Sequence, residues 1–113
     1  MLEQGSQRVQ HIVLFRFPQP LTEDEERWMR DQIRRWPSEI GGLTKLRLGT
    51  DVTGARNRGY QYLLFTEFET NDRLQQYFPH PVHRVFGDWV AEKKCEVLAF
   101  DYPLSDQTVV FEA

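Results

Sequence analysis

Apolar and polar residues alternate along four stretches of the chain, which is the spacing of β-strands. These stretches are residues 9–17, 43–49, 60–69 and 95–102. The first and third are rich in β-branched and aromatic residues, which favours strands. In both, apolar residues fall on the two opposite faces in the middle of the stretch, as Val13 and Leu14 do in the first. The pattern therefore predicts four strands, two of which bury both faces.

Between these strands the apolar residues follow helical spacing. Thr22 and Glu25 form a capping box, and the helix that they open has one apolar face and is expected to stop before Pro37. Thr70 is expected to cap a short helix, and a further helix follows at once or continues it with a bend. In that last helix Pro81 suits the first position, because its φ is fixed and it has no N–H, and His80 is expected to be the N-cap.

The order strand, helix, strand, strand, helix, strand indicates two split βαβ halves. It predicts a ferredoxin-like α+β fold with a four-stranded antiparallel sheet and helices on one face. Because two strands are apolar on both faces, we expect a second copy of the chain to cover the other face, as a homodimer. The domain is expected to span residues 9–103, after a flexible lead-in of residues 1–8 and before a tail of residues 104–113.

The composition argues against several classes of partner. The 113 residues carry a net charge of −3 with a pI near 5.6, so no broad basic face for nucleic acid or anionic lipid is expected. Cys95 is the only cysteine, which rules out an internal disulfide and a multi-thiolate metal site. No apolar run is long enough to span a membrane, and residues 1–8 are unlike a signal peptide. We expect one cytoplasmic domain.

Candidate chemistry is concentrated at the start of the last helix, where Tyr77, His80 and His83 lie within seven residues. His83 falls on the apolar flank, so burial and the positive end of the helix dipole are expected to keep its imidazole neutral, as a general base requires. The alternative is a helix-start histidine that backbone groups satisfy. His80, between two prolines, is expected to be structural, and Tyr77 has the spacing of a core residue.

Other polar residues allow further readings. A metal site made by His11, His80 and His83 is disfavoured, because an N-cap histidine and one that lies a turn further on need not point together. His11 is either a core histidine or part of a pocket. Arg56 and Arg58, in the polar loop 51–59, could bind an anionic group, but an exposed hairpin loop is the simpler interpretation. We expect neither a metal nor a cofactor.

Several segments, taken in this order, resemble one protein family. They are residues 11–17, Gly59-Tyr60, residues 66–69, Tyr77 with the motif His80-Pro-Val-His83, and Phe100-Asp-Tyr102. Over residues 9–103 they are similar to the stress-responsive dimeric α/β-barrel family, called Dabb. The resemblance implies ferredoxin-like subunits that pair as a dimeric α+β barrel.

Within that family, the residues look like those of members that act as polyketide cyclases, which close a linear poly-β-keto thioester by intramolecular aldol condensation. The resemblance implies that His83 is the general base and that Tyr77 orients it or stabilises an oxyanion. A histidine of such cyclases is replaced here by Tyr62. The substrate pocket implied in this way is lined by His11, Tyr62, Leu64, Phe86 and Trp89.

A small cofactor-independent enzyme acting on a polyketide or comparable aromatic intermediate is therefore the leading hypothesis. Removal of a proton from an acidic methylene needs a neutral imidazole, a phenol and apolar walls, which these residues supply. Two alternatives stay open. One is a non-catalytic, stress-associated dimer that binds a small ligand, and the other is a cofactor-free monooxygenase or haem-degrading enzyme.

Overall fold

The computed structural model describes residues 7–113, and the part of the predicted lead-in from residue 1 to residue 6 lies outside the described residues. The described chain forms, in order, β1 (Val9–Arg16), α1 (Glu23–Arg34), α2 (Trp36–Glu39), β2 (Leu43–Thr50), β3 (Tyr62–Phe68), α3 (Asn71–Tyr77), α4 (Pro81–Glu92) and β4 (Glu96–Pro103). Each of the four predicted strands is present, with ends that differ by one or two residues at most.

The strands form one antiparallel sheet in the order β2-β3-β1-β4. Val13 in the central strand β1 lies opposite Leu64 of β3 and Ala99 of β4, so β1 is hydrogen-bonded on both sides. This strand order with the two helical crossovers is that of a ferredoxin-like fold. The predicted fold class is therefore confirmed.

The first helical segment differs from the prediction near its end. The capping box is present: Thr22 Oγ1 accepts from the Glu25 N–H at 3.1 Å, and the Glu25 carboxylate accepts from the Thr22 N–H at 2.9 Å. However, α1 ends at Arg34, and Pro37 is the second residue of the separate short helix α2. Proline has no N–H to donate, so it fits the first turn of a new helix better than the last turn of an old one.

The second crossover consists of two helices rather than one bent helix. Thr70 caps α3 by accepting from the Arg73 N–H at 3.2 Å. His80 is the N-cap of α4, because its Nδ1 accepts from the Val82 N–H at 3.1 Å, in agreement with the structural role expected for it. None of the helices in the described part of the chain is long and apolar enough to cross a membrane.

The two faces of the sheet differ in their cover. The inner face packs against the helices and forms the core, which includes Val13, Phe15, Leu64 and Phe68 of the sheet and Met29, Ile33, Trp36, Leu74, Phe86 and Val90 of the helices. We call the opposite side the outer face. Its apolar residues stay accessible: Leu63 is 40% exposed, Leu98 52% and Phe100 65%.

Candidate active site

A cavity of about 360 Å³ lies on the inner face, between strands β1 and β4 and helices α3 and α4. Its volume falls within the range of small-molecule sites, roughly 300–1,000 Å³. Five of the seven residues predicted for the site line it, namely His11, Leu64, Tyr77, His83 and Phe86. The structure thus brings together residues from two strands and two helices that are far apart in the sequence.

His83 lies in the first turn of α4, and its Nδ1 is 3.0 Å from the carbonyl oxygen of Phe78. A carbonyl oxygen can only accept, so Nδ1 carries the hydrogen and donates it. The other ring nitrogen, Nε2, is then left with its lone pair. Burial lowers the pKa of His83, with smaller contributions from His11 and His80, whereas the bond to Phe78 acts in the opposite direction. The ring is therefore a neutral base at pH 7.

Tyr77, the last residue of α3, packs directly against this imidazole. The two ring centroids are 4.2 Å apart, and the Tyr77 side chain is almost completely buried. Burial alone raises the pKa of Tyr77 above that of a free phenol, so the hydroxyl keeps its proton. Burial is the one cause of this shift, and no hydrogen-bond partner of the hydroxyl within residues 7–113 contributes to it. The hydroxyl can therefore donate a hydrogen bond to an oxygen of a ligand in the cavity.

His11 lines the cavity from β1 and is paired with Asp101 of β4. The two residues are cross-strand neighbours, and His11 Nδ1 is hydrogen-bonded to the Asp101 carboxylate. The His11 side chain is buried, and its ring centroid lies 5.8 Å from that of Tyr77 and 5.4 Å from that of Phe78. A carboxylate oxygen can only accept, so His11 Nδ1 carries a hydrogen and donates it to Asp101.

Asp101 and Phe78 are two contributors to the site for which the sequence predicted no role. Asp101 belongs to the closing segment Phe100-Asp-Tyr102 that resembles the family, so the sequence did mark this residue. Its pairing with His11 could not be predicted, because it depends on the strand register that sets His11 opposite Asp101. Phe78 acts through its backbone carbonyl, which no side-chain pattern reveals.

Tyr62 and Trp89, which were predicted to line the same pocket, do not line this cavity. The Tyr62 hydroxyl donates to Glu26 Oε2 of α1 at 2.6 Å, which draws the side chain towards the other helical crossover. The Trp89 ring packs 4.9 Å from the ring of Trp28, also in α1. Both residues belong to the junction between α1 and the rest of the core.

The structure also bears on the other groups that the sequence raised, which are Cys95, a metal site and the two loop arginines. Burial raises the pKa of the Cys95 thiol to about 11, so this cavity residue is a protonated, weakly polar wall. Within residues 7–113 no three His, Cys, Asp or Glu side chains come together in a way that could hold a metal ion. Arg56 and Arg58 lie beside a different groove, which we describe below.

The arrangement is suited to proton transfer at carbon. One imidazole presents an unprotonated nitrogen, and a protonated phenol lies against its ring. The surrounding walls are mainly apolar, and an apolar environment strengthens both interactions. A base can thus remove a proton while a hydrogen-bond donor stabilises the oxyanion that forms.

Comparison with known proteins supports a family assignment. The chain is similar to olivetolic acid cyclase of Cannabis sativa, with 27% identity over 95 residues that cover 83% of this chain and 94% of that protein. Among solved structures, it resembles hydroxynitrile lyase from Passiflora edulis (TM-score 0.78, 17% identity), over 92% of this chain and 99% of that one. It also resembles a dimeric ferredoxin-like protein of unknown function from Thermobifida fusca (TM-score 0.76, 23% identity), over 92% and 97%.

At these identities the structural neighbours show the fold, and the family follows from the match along the sequence. The stress-responsive A/B barrel domain matches residues 9–104, which include every element of the described fold and all the residues that line the cavity. The chain therefore belongs to the Dabb family of stress-responsive A/B barrel domains.

Proposed function

We propose that this chain is a cofactor-independent, polyketide cyclase-like enzyme that closes a poly-β-keto thioester, or a related intermediate, by intramolecular aldol condensation. The observation that carries the proposal is the state of His83: Nδ1 is bound to the Phe78 carbonyl, Nε2 is free, and the ring lies against Tyr77 in an apolar cavity. The likeness to olivetolic acid cyclase supports this substrate class.

The first step is removal of a proton from a methylene between two carbonyl groups. His83 Nε2 takes that proton, and the electron pair of the C–H bond moves into an enolate. The Tyr77 hydroxyl donates a hydrogen bond to the enolate oxygen or to the carbonyl that will be attacked. A positioned general base of this kind contributes about 10²–10⁴-fold to the rate.

The enolate carbon then attacks a carbonyl carbon further along the same chain, and the new carbon–carbon bond closes the ring. The resulting alkoxide takes a proton back from the His83 imidazolium. For the loss of water, His83 Nε2 removes the remaining proton of the carbon that attacked, and the electron pair of that C–H bond forms the new C=C bond. The hydroxyl group leaves as hydroxide and takes the proton back from the His83 imidazolium to become water, while His11, held by Asp101, lines the same cavity. The thioester activates the substrate, and its hydrolysis by water releases the aromatic acid and the thiol, so no step needs an oxidant.

The cavity walls favour this reaction over the spontaneous one. A free polyketide chain in water samples many folded shapes and closes by several routes. The aromatic rings of Phe78 and Phe86 and the side chain of Leu64 restrict the shape of a bound chain. Restricting a flexible chain to a reactive shape lowers the entropic part of the barrier.

We also propose that the working unit is a homodimer that pairs through the outer face. Leu63, Leu98 and Phe100 are between 40% and 65% exposed on that face, and one strand of the patch is an edge of the sheet. Exposed apolar patches of this kind mark protein interfaces. The Thermobifida fusca neighbour is described as dimeric, which supports a dimer. Size exclusion with light scattering tests it, and a stable monomer at micromolar concentration would refute it.

The catalytic proposal is tested by product analysis of a polyketide synthase reaction that makes tri- and tetraketide thioesters. The reaction is run without this protein, with it, and with the variants His83→Ala, Tyr77→Phe and Tyr62→Phe. We expect carbocyclic aromatic acids to replace lactones with the wild type and with Tyr62→Phe, which lies outside the cavity. The carbocycle is expected to disappear with His83→Ala.

Unchanged products with a folded wild type would reject the cyclase proposal. In that case, titration of the folded protein with the same aromatic acids would examine the alternative, a non-catalytic dimer that binds small ligands in the same cavity. Binding that is equal for the wild type and His83→Ala would then favour a carrier or sensor role over catalysis.

A further inference from the structure

A second groove, of about 570 Å³, lies on the outer face next to the loop that joins β2 to β3. Leu14, Leu63 and Leu98 form its floor, and Val52, Arg56 and Arg58 of the loop line one side. The groove is thus apolar at its base. Its rim carries the two cations Arg56 and Arg58 and one anion, Asp51, whose carboxylate accepts hydrogen bonds from the Gly54 N–H and Asn57 Nδ2 within the loop. It lies on the opposite side of the sheet from the catalytic cavity, so the proposed reaction makes no use of it.

The tail that follows β4 has the complementary character. Val109 is 97% exposed, Val110 62% and Phe111 86%, and Glu112 follows them. The segment before it is anchored at the end of β4, because Thr108 Oγ1 donates to the Pro103 carbonyl at 2.8 Å. Three consecutive apolar side chains in water are unfavourable, so packing against an apolar surface would stabilise this segment.

The tail cannot reach the groove of its own chain. Leu98, on the groove floor, lies five residues before Pro103 along β4, which is a distance of about 17 Å at roughly 3.3 Å per residue. Leu63 lies two strands away from β4, which adds about 10 Å across the sheet. From Thr108 to Phe111 the chain can extend only about 10 Å.

We propose that the tail of one copy, residues 109–112, binds in the groove of a second copy. This inference rests on the homodimer proposed above. In this arrangement Val109, Val110 and Phe111 cover the leucine floor, and Glu112 lies against Arg56 and Arg58. A two-fold axis makes the exchange reciprocal, so each copy gives one tail and receives one.

Two further observations support this occupant. Within residues 7–113 neither Arg56 nor Arg58 forms an ion pair, and neither does Glu112, so these opposite charges are available to one another. The groove floor is also continuous with the outer face through Leu14, Leu63 and Leu98, so a tail bound there would extend the proposed interface. The family match ends at residue 104, so residues 109–112 lie outside the matched domain.

The contact is tested by disulfide formation between two different single-cysteine variants, both carrying Cys95→Ala. One carries Phe111→Cys and the other Leu63→Cys, and the two are mixed under mild oxidation. Since each chain has one thiol, a mixed disulfide can form only between copies. The matched control replaces Leu63→Cys by Val85→Cys, which is similarly exposed but lies on α4. We expect at least tenfold more mixed disulfide with Leu63→Cys, and equal yields would overturn the proposal.

The energetic test compares dimer dissociation constants measured by sedimentation equilibrium. The full chain with Val109→Ser, Val110→Ser and Phe111→Ser is expected to dissociate at least tenfold more readily than the wild type, whereas Val85→Ser should not. Arg56→Glu should also weaken the dimer, and adding Glu112→Arg should restore it.

The outcomes separate the two proposals. If the wild type is dimeric and the triple serine variant dimerises equally well, the tail exchange is wrong but the homodimer stands. If the wild type is a monomer, the homodimer and the tail exchange both fail, and the catalytic proposal is judged by its own product analysis.

Discussion

The Nδ1 atom of His83 donates a hydrogen bond to the carbonyl oxygen of Phe78, five residues earlier in the chain, over 3.0 Å. The contact exists because α3 ends at Tyr77 and α4 begins at Pro81, so that the intervening turn directs the Phe78 carbonyl back towards the first turn of α4. This one contact selects the tautomer in which Nε2 can act as a base. It is the reason why we place the base at His83 rather than at His80, whose Nδ1 is occupied as a cap.

Cyclase activity is expected to fall as the pH is lowered through the pKa of His83. Burial lowers this pKa below that of a free imidazole, about 6.5, so the base stays unprotonated at pH 7. The measurement is kcat/KM as a function of pH, with Tyr62→Phe as a control that should keep the same acidic limb. An acidic limb centred at or above pH 6.5 would contradict the assignment.

The free energy of unfolding should also decrease as the pH falls below about 6.5. The folded state has the lower His83 pKa, so in this range the unfolded chain binds more protons, and protonation favours unfolding. The loss should continue until the pH passes below the folded-state pKa. Urea unfolding at pH 7.5 and 5.5 measures it.

The variant His83→Gln is the control for that experiment, because it cannot titrate. We expect a smaller difference between the two pH values for this variant than for the wild type. Glu25 and Glu26 have lowered pKa values, so they cost stability only below about pH 4.3, outside the window measured. An equal pH dependence in the two proteins would show that His83 is not the group responsible.

Two tyrosine substitutions should have opposite effects. Tyr77→Phe removes a hydroxyl whose pKa is raised by burial alone, with no contribution from a hydrogen-bond partner in residues 7–113, so it should reduce activity with little change in stability. Tyr62→Phe removes the bond to Glu26 and should lower the free energy of unfolding by about 1 kcal/mol, with activity unchanged. Urea unfolding and product analysis of both variants check this. A loss of activity in Tyr62→Phe alone would place the site elsewhere.

Asp101→Asn is expected to impair the reaction by releasing the His11 ring. The amide can still form a hydrogen bond with Nδ1, but it can accept or donate. It therefore no longer favours the tautomer with the hydrogen on Nδ1 over the one with the hydrogen on Nε2. The stability cost should be about 1 kcal/mol, because half of the Asp101 side chain faces solvent. Nitrogen NMR of the histidine rings reports the tautomer directly. A His11 ring whose tautomer is unchanged by the substitution would remove this role for Asp101.

Phe100→Glu should yield a folded monomer. Phe100 is 65% exposed on the outer face of the edge strand β4, and a two-fold interface would bring the two introduced carboxylates into an apolar surface. Light scattering measures the mass and circular dichroism the fold. The control is Val85→Glu, at a 51% exposed position on α4, which should remain a dimer. A Phe100→Glu variant with the mass of the wild type would exclude the outer face as the interface.

The local elements were largely predictable because their causes are local. Apolar and polar residues alternate in residues 9–17 and 60–69 because successive side chains of a strand point to opposite faces. The capping box of Thr22 and Glu25 likewise acts within one helical turn. The N-cap role of His80 followed from the two prolines that flank it. The split of the first helical segment at Pro37 was missed, since proline is compatible with both the end of one helix and the start of the next.

The site was only partly predictable. Alternation correctly places Tyr62 and Leu64 on the same face of β3, but it does not say which helix covers each of them. In the fold, the Tyr62 hydroxyl binds Glu26 of α1, whereas Leu64 lines the cavity next to α4. Tyr62 and Trp89 therefore lie outside this cavity because of where the helices are placed, which depends on packing across the whole sheet.

By itself, the sequence determined the strands, the helix caps, the fold class, and the presence of an imidazole and a phenol at the start of α4, since these depend on spacing within a few residues. Only the tertiary structure decided that His11 meets Asp101, that His83 binds the Phe78 carbonyl, and that five of the predicted residues share one cavity. The physical reason is that such contacts depend on strand register and on the angles between packed elements, which are set by the burial of the whole core at once.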